Sequence, residues 1–124
     1  MKRIFILSVV SMMLTLPALA TNWVQSTTDW AVDMDTIKYD ENYAKVWTKA
    51  DAVKYPSYTN VPNVKWIYRL ESFERGTNQH LTLNEILYDE DMQIIENSMN
   101  PFGFAPQAFS DDSSLRIIRD ILFK

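Results

Sequence analysis

Two acidic stretches and one histidine hold the groups in this 124-residue chain that could do chemistry. Residues 32–47, VDMDTIKYDENYAKVW, crowd Asp33, Asp35, Asp40 and Glu41 into a short polar run. Carboxylates so close together suggest oxygen ligands for a hard cation. A calcium loop of the helix–loop–helix type needs oxygen donors at positions 1, 3, 5 and 12, and glycine at 6. Counted from Asp33, positions 5, 6 and 12 are Ile37, Lys38 and Ala44, which cannot serve. Asp89-Glu90-Asp91 fails in the same way, with Ile94 at position 6 and Asn100 at position 12. Between alternating segments, acidic and amide residues are ordinary turn formers. The expectation is therefore turns and no metal: Asp33 to Ile37 ends one strand, and Asp40-Glu41-Asn42 leads into the next.

His80 is the single histidine. Beside the turn around Gly76 it reads as a surface residue. A serine triad would need Ser and Asp to converge on it, and the chain has no G-x-S-x-G elbow. With two glycines it has no phosphate-cradling loop, and with no cysteine it has no thiol chemistry, zinc ribbon or iron–sulfur site. A carboxylate pair for glycoside cleavage depends on spacing in space. The reading is a non-enzyme without cofactor, and a hydrolase is the third choice.

One pattern points to binding. Lys45, Trp47 and Lys49 alternate along one predicted strand, and Lys65, Ile67 and Arg69 along another. If the strands are neighbours, four cations and two apolar groups form one patch on an otherwise acidic domain. Trp and Arg are common binding anchors. The plainer alternative is a solvated sheet face, with cations lying along an aromatic. Phe102, Phe104 and Phe109 pose a similar choice between rings tucked on the core and an exposed lip.

The elements that must position these groups follow a leader. Residues 1–20 have Lys2 and Arg3, an apolar run from Ile4 to Leu16, and Ala18-Leu19-Ala20. That is the pattern of a cleaved secretory signal peptide, and the run is too short to span a bilayer comfortably. Residues 21–124 then form one domain, with no further membrane span. Removing Lys2 and Arg3 from 12 basic residues leaves 10 against 16 acidic, a formal charge near −6. Without a basic run such a chain is not expected to bind nucleic acid. It uses no disulfide, so four Trp, six Tyr and five Phe must supply the core by packing.

Alternation predicts strands at 22–25, 30–33, 43–50, 64–73, 81–88 and 93–97. Pro56 and Pro62 punctuate a loop over 51–63. On the strand at 64–73, Val64, Trp66, Tyr68 and Leu70 share an apolar face; Lys65, Ile67, Arg69, Glu71 and Phe73 lie on the other. A loop over 99–109 precedes a helix from Ser113 to Phe123, with Leu115, Ile118 and Leu122 on one side. Ser110 or an Asp after it is the expected cap. The fold class is α+β: a single antiparallel β-sheet packed against a C-terminal α-helix, which covers the apolar sheet face.

The order NWVQ, VDMDTI, AKVWTK, YRLESF, LTLNEILYDEDMQIIENS and a short amphipathic helix resembles the surface-adhesin protein E family of Gram-negative bacteria. The resemblance spans most of residues 22–123. It implies an antiparallel sheet with helical cover and an exported adhesin that binds host matrix or serum proteins such as laminin, vitronectin and plasminogen. Many relatives are small periplasmic or envelope proteins. The family often carries a Cys pair, where this chain has Ser72 and Phe123 as replacements, so it reads as a divergent, cysteine-free member. Thr21 offers no lipid anchor. The functional expectation is a protein-binding domain in the periplasm or at the cell surface. The alternative is a soluble periplasmic accessory or inhibitor protein with a bacterial partner.

Overall fold

The computed structural model describes residues 22–26, 29–58 and 60–124. The expected signal peptide, residues 1–20, lies outside them. One antiparallel sheet dominates. Its strands are β1 (Trp23–Gln25), β2 (Trp30–Asp33), β3 (Lys38–Asp40), β4 (Tyr43–Asp51), β5 (Trp66–Glu74), β6 (Gln79–Tyr88), β7 (Ile94–Met99) and β8 (Gln107–Ala108). The order is β1-β2-β4-β5-β6-β7, with β3 on one end of β4 and β8 on one end of β6. Helix α1 spans Ser114–Leu122. The α+β class expected from the sequence is therefore the one observed.

Register decides which side chains share a face, because the side-chain period along a strand is two. Ala44, Val46, Thr48 and Ala50 of β4 lie opposite Phe73, Glu71, Arg69 and Ile67 of β5. This face carries the larger core: Trp30, Val32, Ala44, Val46, Ala50, Ile67, Phe73, Leu87, Phe109, Ile118 and Leu122. The small side chains of β4 leave room for the Phe73 and Phe109 rings and for α1. Burying Ile118 and Leu122 contributes about 2 kcal/mol each.

The sequence reading placed the helix on the Trp66/Tyr68/Leu70 side. The structure reverses this. Charged residues of β5 lie under the cover because they are paired there, as described below. The opposite, aromatic face holds Trp47, Tyr68, Ile86 and Tyr88, bordered by Trp23, Trp66, Leu70 and Met92. Edge-on contacts knit it, with ring centroids 5.5 Å apart for Trp23–Tyr68 and 4.8 Å for Tyr68–Tyr88.

Short connections follow from turn chemistry. Asp33 Oδ1 accepts the Asp35 N–H and opens a 3-10 turn over Met34–Thr36. Asp89 Oδ1 accepts from Asp91 and Gln93 N–H groups. Both acidic stretches thus contain turns, and within the first, between the two expected turns at 33–37 and 40–42, Lys38–Asp40 adds a strand that the sequence does not predict. The 51–63 loop carries 3-10 turns at Ala52–Lys54 and Pro56–Tyr58. Gly76 takes a left-handed φ of 77° in the β5–β6 turn, where a side chain would be strained.

Ser113, rather than Ser110 or a following Asp, caps α1; its Oγ accepts the Leu115 N–H at 3.0 Å. Arg119 fastens the helix to the β5–β6 turn through Thr77 O and Asn78 Oδ1. Tyr39 OH donates to Leu122 O at the far end. No helix among the described residues is long and apolar enough to cross a membrane.

Candidate functional site

β4 and β5 are neighbours, as the binding patch required, but the register splits its six residues. Lys45, Trp47 and Lys49 face Ser72, Leu70 and Tyr68 on the aromatic side. Ile67 is fully buried in the core under the helix-covered face, where it offers a partner nothing. Arg69 lies on that same side. Lys65 sits at the strand end, its Nζ 3.0 Å from Asp51 Oδ2. The expectation of one shared cationic patch is corrected for that geometric reason.

Arg69 belongs instead to a half-buried polar cluster. Its Nε donates to Glu85 Oε2 at 2.7 Å, and its Nη2 to Tyr58 OH at 2.5 Å. Tyr58 OH also reaches Glu85 Oε2 at 2.5 Å. Burial, with the Glu85 hydrogen bond, pushes the Tyr58 phenol up to about 12. The guanidinium also lies over the rings of Trp30 and Phe102 at 5.3 and 5.0 Å.

A second cluster lies farther along the same face. Glu71, 2% exposed, binds His80 Nδ1 at 2.8 Å through Oε1, and Oε2 accepts from the Thr82 hydroxyl at 2.7 Å. His80 is thus mostly buried, packed beside Phe73 and Phe109, and is not the surface residue its turn suggested. Both oxygens of Glu71 and the Oε2 of Glu85 are thus held by side chains of the protein itself.

The aromatic face differs. Lys49 Nζ lies 4.6 Å from the Trp23 ring and 5.3 Å from Trp66. Burial pulls the Lys49 amine below its ordinary value, against the pull of nearby Asp33. Burial raises the Asp33 carboxyl. Asp33 Oδ2, Asn84 Oδ1 and Tyr88 OH are buried without a hydrogen-bond partner. Register places all three residues on this face.

On the same face opens a cleft of about 670 Å³. Its wall is the β3–β4 hairpin and the preceding 3-10 turn, with Asp35, Thr36, Lys38, Asp40, Tyr43 and Lys45; its floor is Trp47, Leu70, Ser72 and Leu83. Leu83 turns inward where a bulge in the β5–β6 ladder leaves it without an opposite residue. Lys45 and Trp47 thus do contribute to a concave site, with partners that sequence alternation could not supply. Lys38 was missed because it sat inside a stretch read as turn.

A third surface lies at the sheet edge. Among the described residues β7 is paired on one side only. Ile94, Ile95 and Met99 on it are exposed, and so are Phe102 and Phe104, the latter 83%. Phe109 alone of the three loop rings is buried in the core.

Compared with known protein families and curated proteins, the chain matches no family model and no curated sequence.

Proposed function

We propose that the chain is an exported, non-enzymatic binding domain of the surface-adhesin protein E type, which holds another protein against the β7 edge. The observation that carries this reading is the exposed apolar ridge of Ile94, Ile95 and Met99 on β7, followed by exposed Phe102 and Phe104 in the next loop. Single exposed apolar residues are ordinary; a group of them along a sheet edge that no described strand pairs marks an interaction surface.

Backbone direction supports it. Lys65 N–H donates to Tyr88 O, and Asn100 N–H to Leu83 O. Alternation from these bonds aims the N–H and C=O of Asn97 and Met99 away from β6. An extended segment of a partner can add there as a further strand, its side chains meeting the ridge. The strand IIENSM has no Lys or Pro to blunt the edge. The non-enzymatic part rests on Glu71 and Glu85, both occupied by neutral or cationic side chains of the protein itself.

The test has two arms. Protease treatment of an epitope-tagged copy on intact and on permeabilised cells locates the domain. Immobilised laminin and vitronectin then measure binding by the purified protein and its Ile95→Lys and Phe104→Asp variants. Digestion on intact cells, with binding reduced at least tenfold in the variants, supports the reading. Protection until permeabilisation rejects a surface adhesin and turns the search to bacterial envelope partners.

A further inference from the structure

The cleft on the aromatic face has a charge pattern that the β7 ridge does not explain. Lys38 and Lys45 stand directly opposite each other across β3 and β4. Like charges in that position repel, and a sheet gains nothing by placing them there. Among the described residues no carboxylate forms an ion pair with either. Asp40, two residues along on the same face and opposite Tyr43, likewise has no cation paired with it. All three line the cleft. Its wall therefore presents a double positive site and, two strand residues or about 7 Å away, a negative site at Asp40; the other carboxylate on the wall, Asp35, accepts the Asn22 side-chain amide. Below them lie Trp47, Leu70 and Leu83, an apolar floor.

We propose that this cleft binds a short zwitterionic peptide. The peptide's carboxylate lies between Lys38 and Lys45, its ammonium group at Asp40, and an apolar side chain on the Trp47/Leu70/Leu83 floor. Two extended residues span about 7 Å, the separation of the two charged sites. The volume of about 670 Å³ is that of sites that enclose ligands of this size. Each end of the ligand satisfies a charge that the fold leaves uncompensated. An anion with a greasy tail would satisfy the lysines but leave Asp40 facing it unpaired. This assignment is independent of the edge reading, since no residue is shared.

Isothermal titration of the purified protein with Ala-Leu, N-acetyl-Ala-Leu and Ala-Leu-amide tests it. Ala-Leu is expected to bind, with affinity at least tenfold lower when either end is blocked. K38M/K45M should lose the preference for a free carboxylate, and D40N the preference for a free amine. These three residues are exposed, so the variants should keep the wild-type circular dichroism spectrum. Absence of Ala-Leu binding at millimolar concentration overturns the proposal. Equal binding of the acetylated peptide also overturns it, in favour of a simple anion site. Full retention of affinity in K38M/K45M would place any binding elsewhere and overturn it too.

Discussion

Arg69 and Glu85 lie directly opposite each other across β5 and β6, joined Nε to Oε2 at 2.7 Å on the face that the helix and turns cover. Removing one partner of such a pair strands the other in a poorly solvated place. Glu85→Leu alone or Arg69→Met alone is expected to destabilise the fold by about 3 kcal/mol, whereas the double replacement should recover most of that. Urea unfolding of the two single variants and the double variant measures the coupling. Additive losses would show that the pair is not coupled.

The split of the six cationic and apolar residues between two faces separates their variants. Lys45→Glu, on an exposed cleft wall, should change stability by no more than about 0.5 kcal/mol. Arg69→Glu places a second carboxylate against Glu85 and should cost about 4 kcal/mol, most of the stability of a small domain. Thermal melts of both proteins distinguish the two positions directly.

Tyr58 and Tyr68 are each pushed up to about 12, chiefly by burial. A phenol whose folded value exceeds its unfolded value of about 10 adds stability that is fully present below that value. The contribution is lost as pH rises through about 12. Unfolding midpoints should therefore fall steeply above about pH 10. In Tyr58→Phe the fall should be shallower, and the phenolate absorbance change near 12 should shrink. An unchanged profile in that variant would remove Tyr58 as a cause.

Tyr88 OH is buried without a hydrogen-bond partner. Deleting an unsatisfied hydroxyl relieves its desolvation, worth about 1 kcal/mol or more. Tyr88→Phe should accordingly be neutral or stabilising in urea. A loss of more than about 1 kcal/mol would mean that the hydroxyl has a bonding role.

Ser113 caps α1. Ser113→Ala should cost about 1 kcal/mol, read as a lower melting temperature with unchanged β-sheet signal.

The alternation of β4 and β5 and the 3.6-residue spacing of Leu115, Ile118 and Leu122 made the sheet and its helix legible in the sequence. Which face the helix covers was not legible. Trp66, Tyr68 and Leu70 look like a core stripe, while Arg69 and Glu71 look like a solvent stripe. Only register brings Glu85, Tyr58, His80 and Thr82 to those charges and makes their burial tolerable. His80 misled for the same reason: its partner Glu71 lies on the preceding strand, nine residues away. The cleft depended on β3, three residues whose pairing with β4 no local signal announced, and on a bulge at Leu83. Lys45 and Trp47 therefore line a cleft with neighbours that strand alternation alone does not supply.

The helix follows every strand in chain order, and Arg119 ties it to the turn joining β5 and β6. A chain that emerges from its N-terminal end thus passes through an interval in which the strands can pair while the larger core still lacks Ile118 and Leu122. Adhesion between molecules competes with folding during that interval, since exposed apolar sheet invites it. The segment that closes the larger core is thus the last to be made, and the open sheet face waits for it.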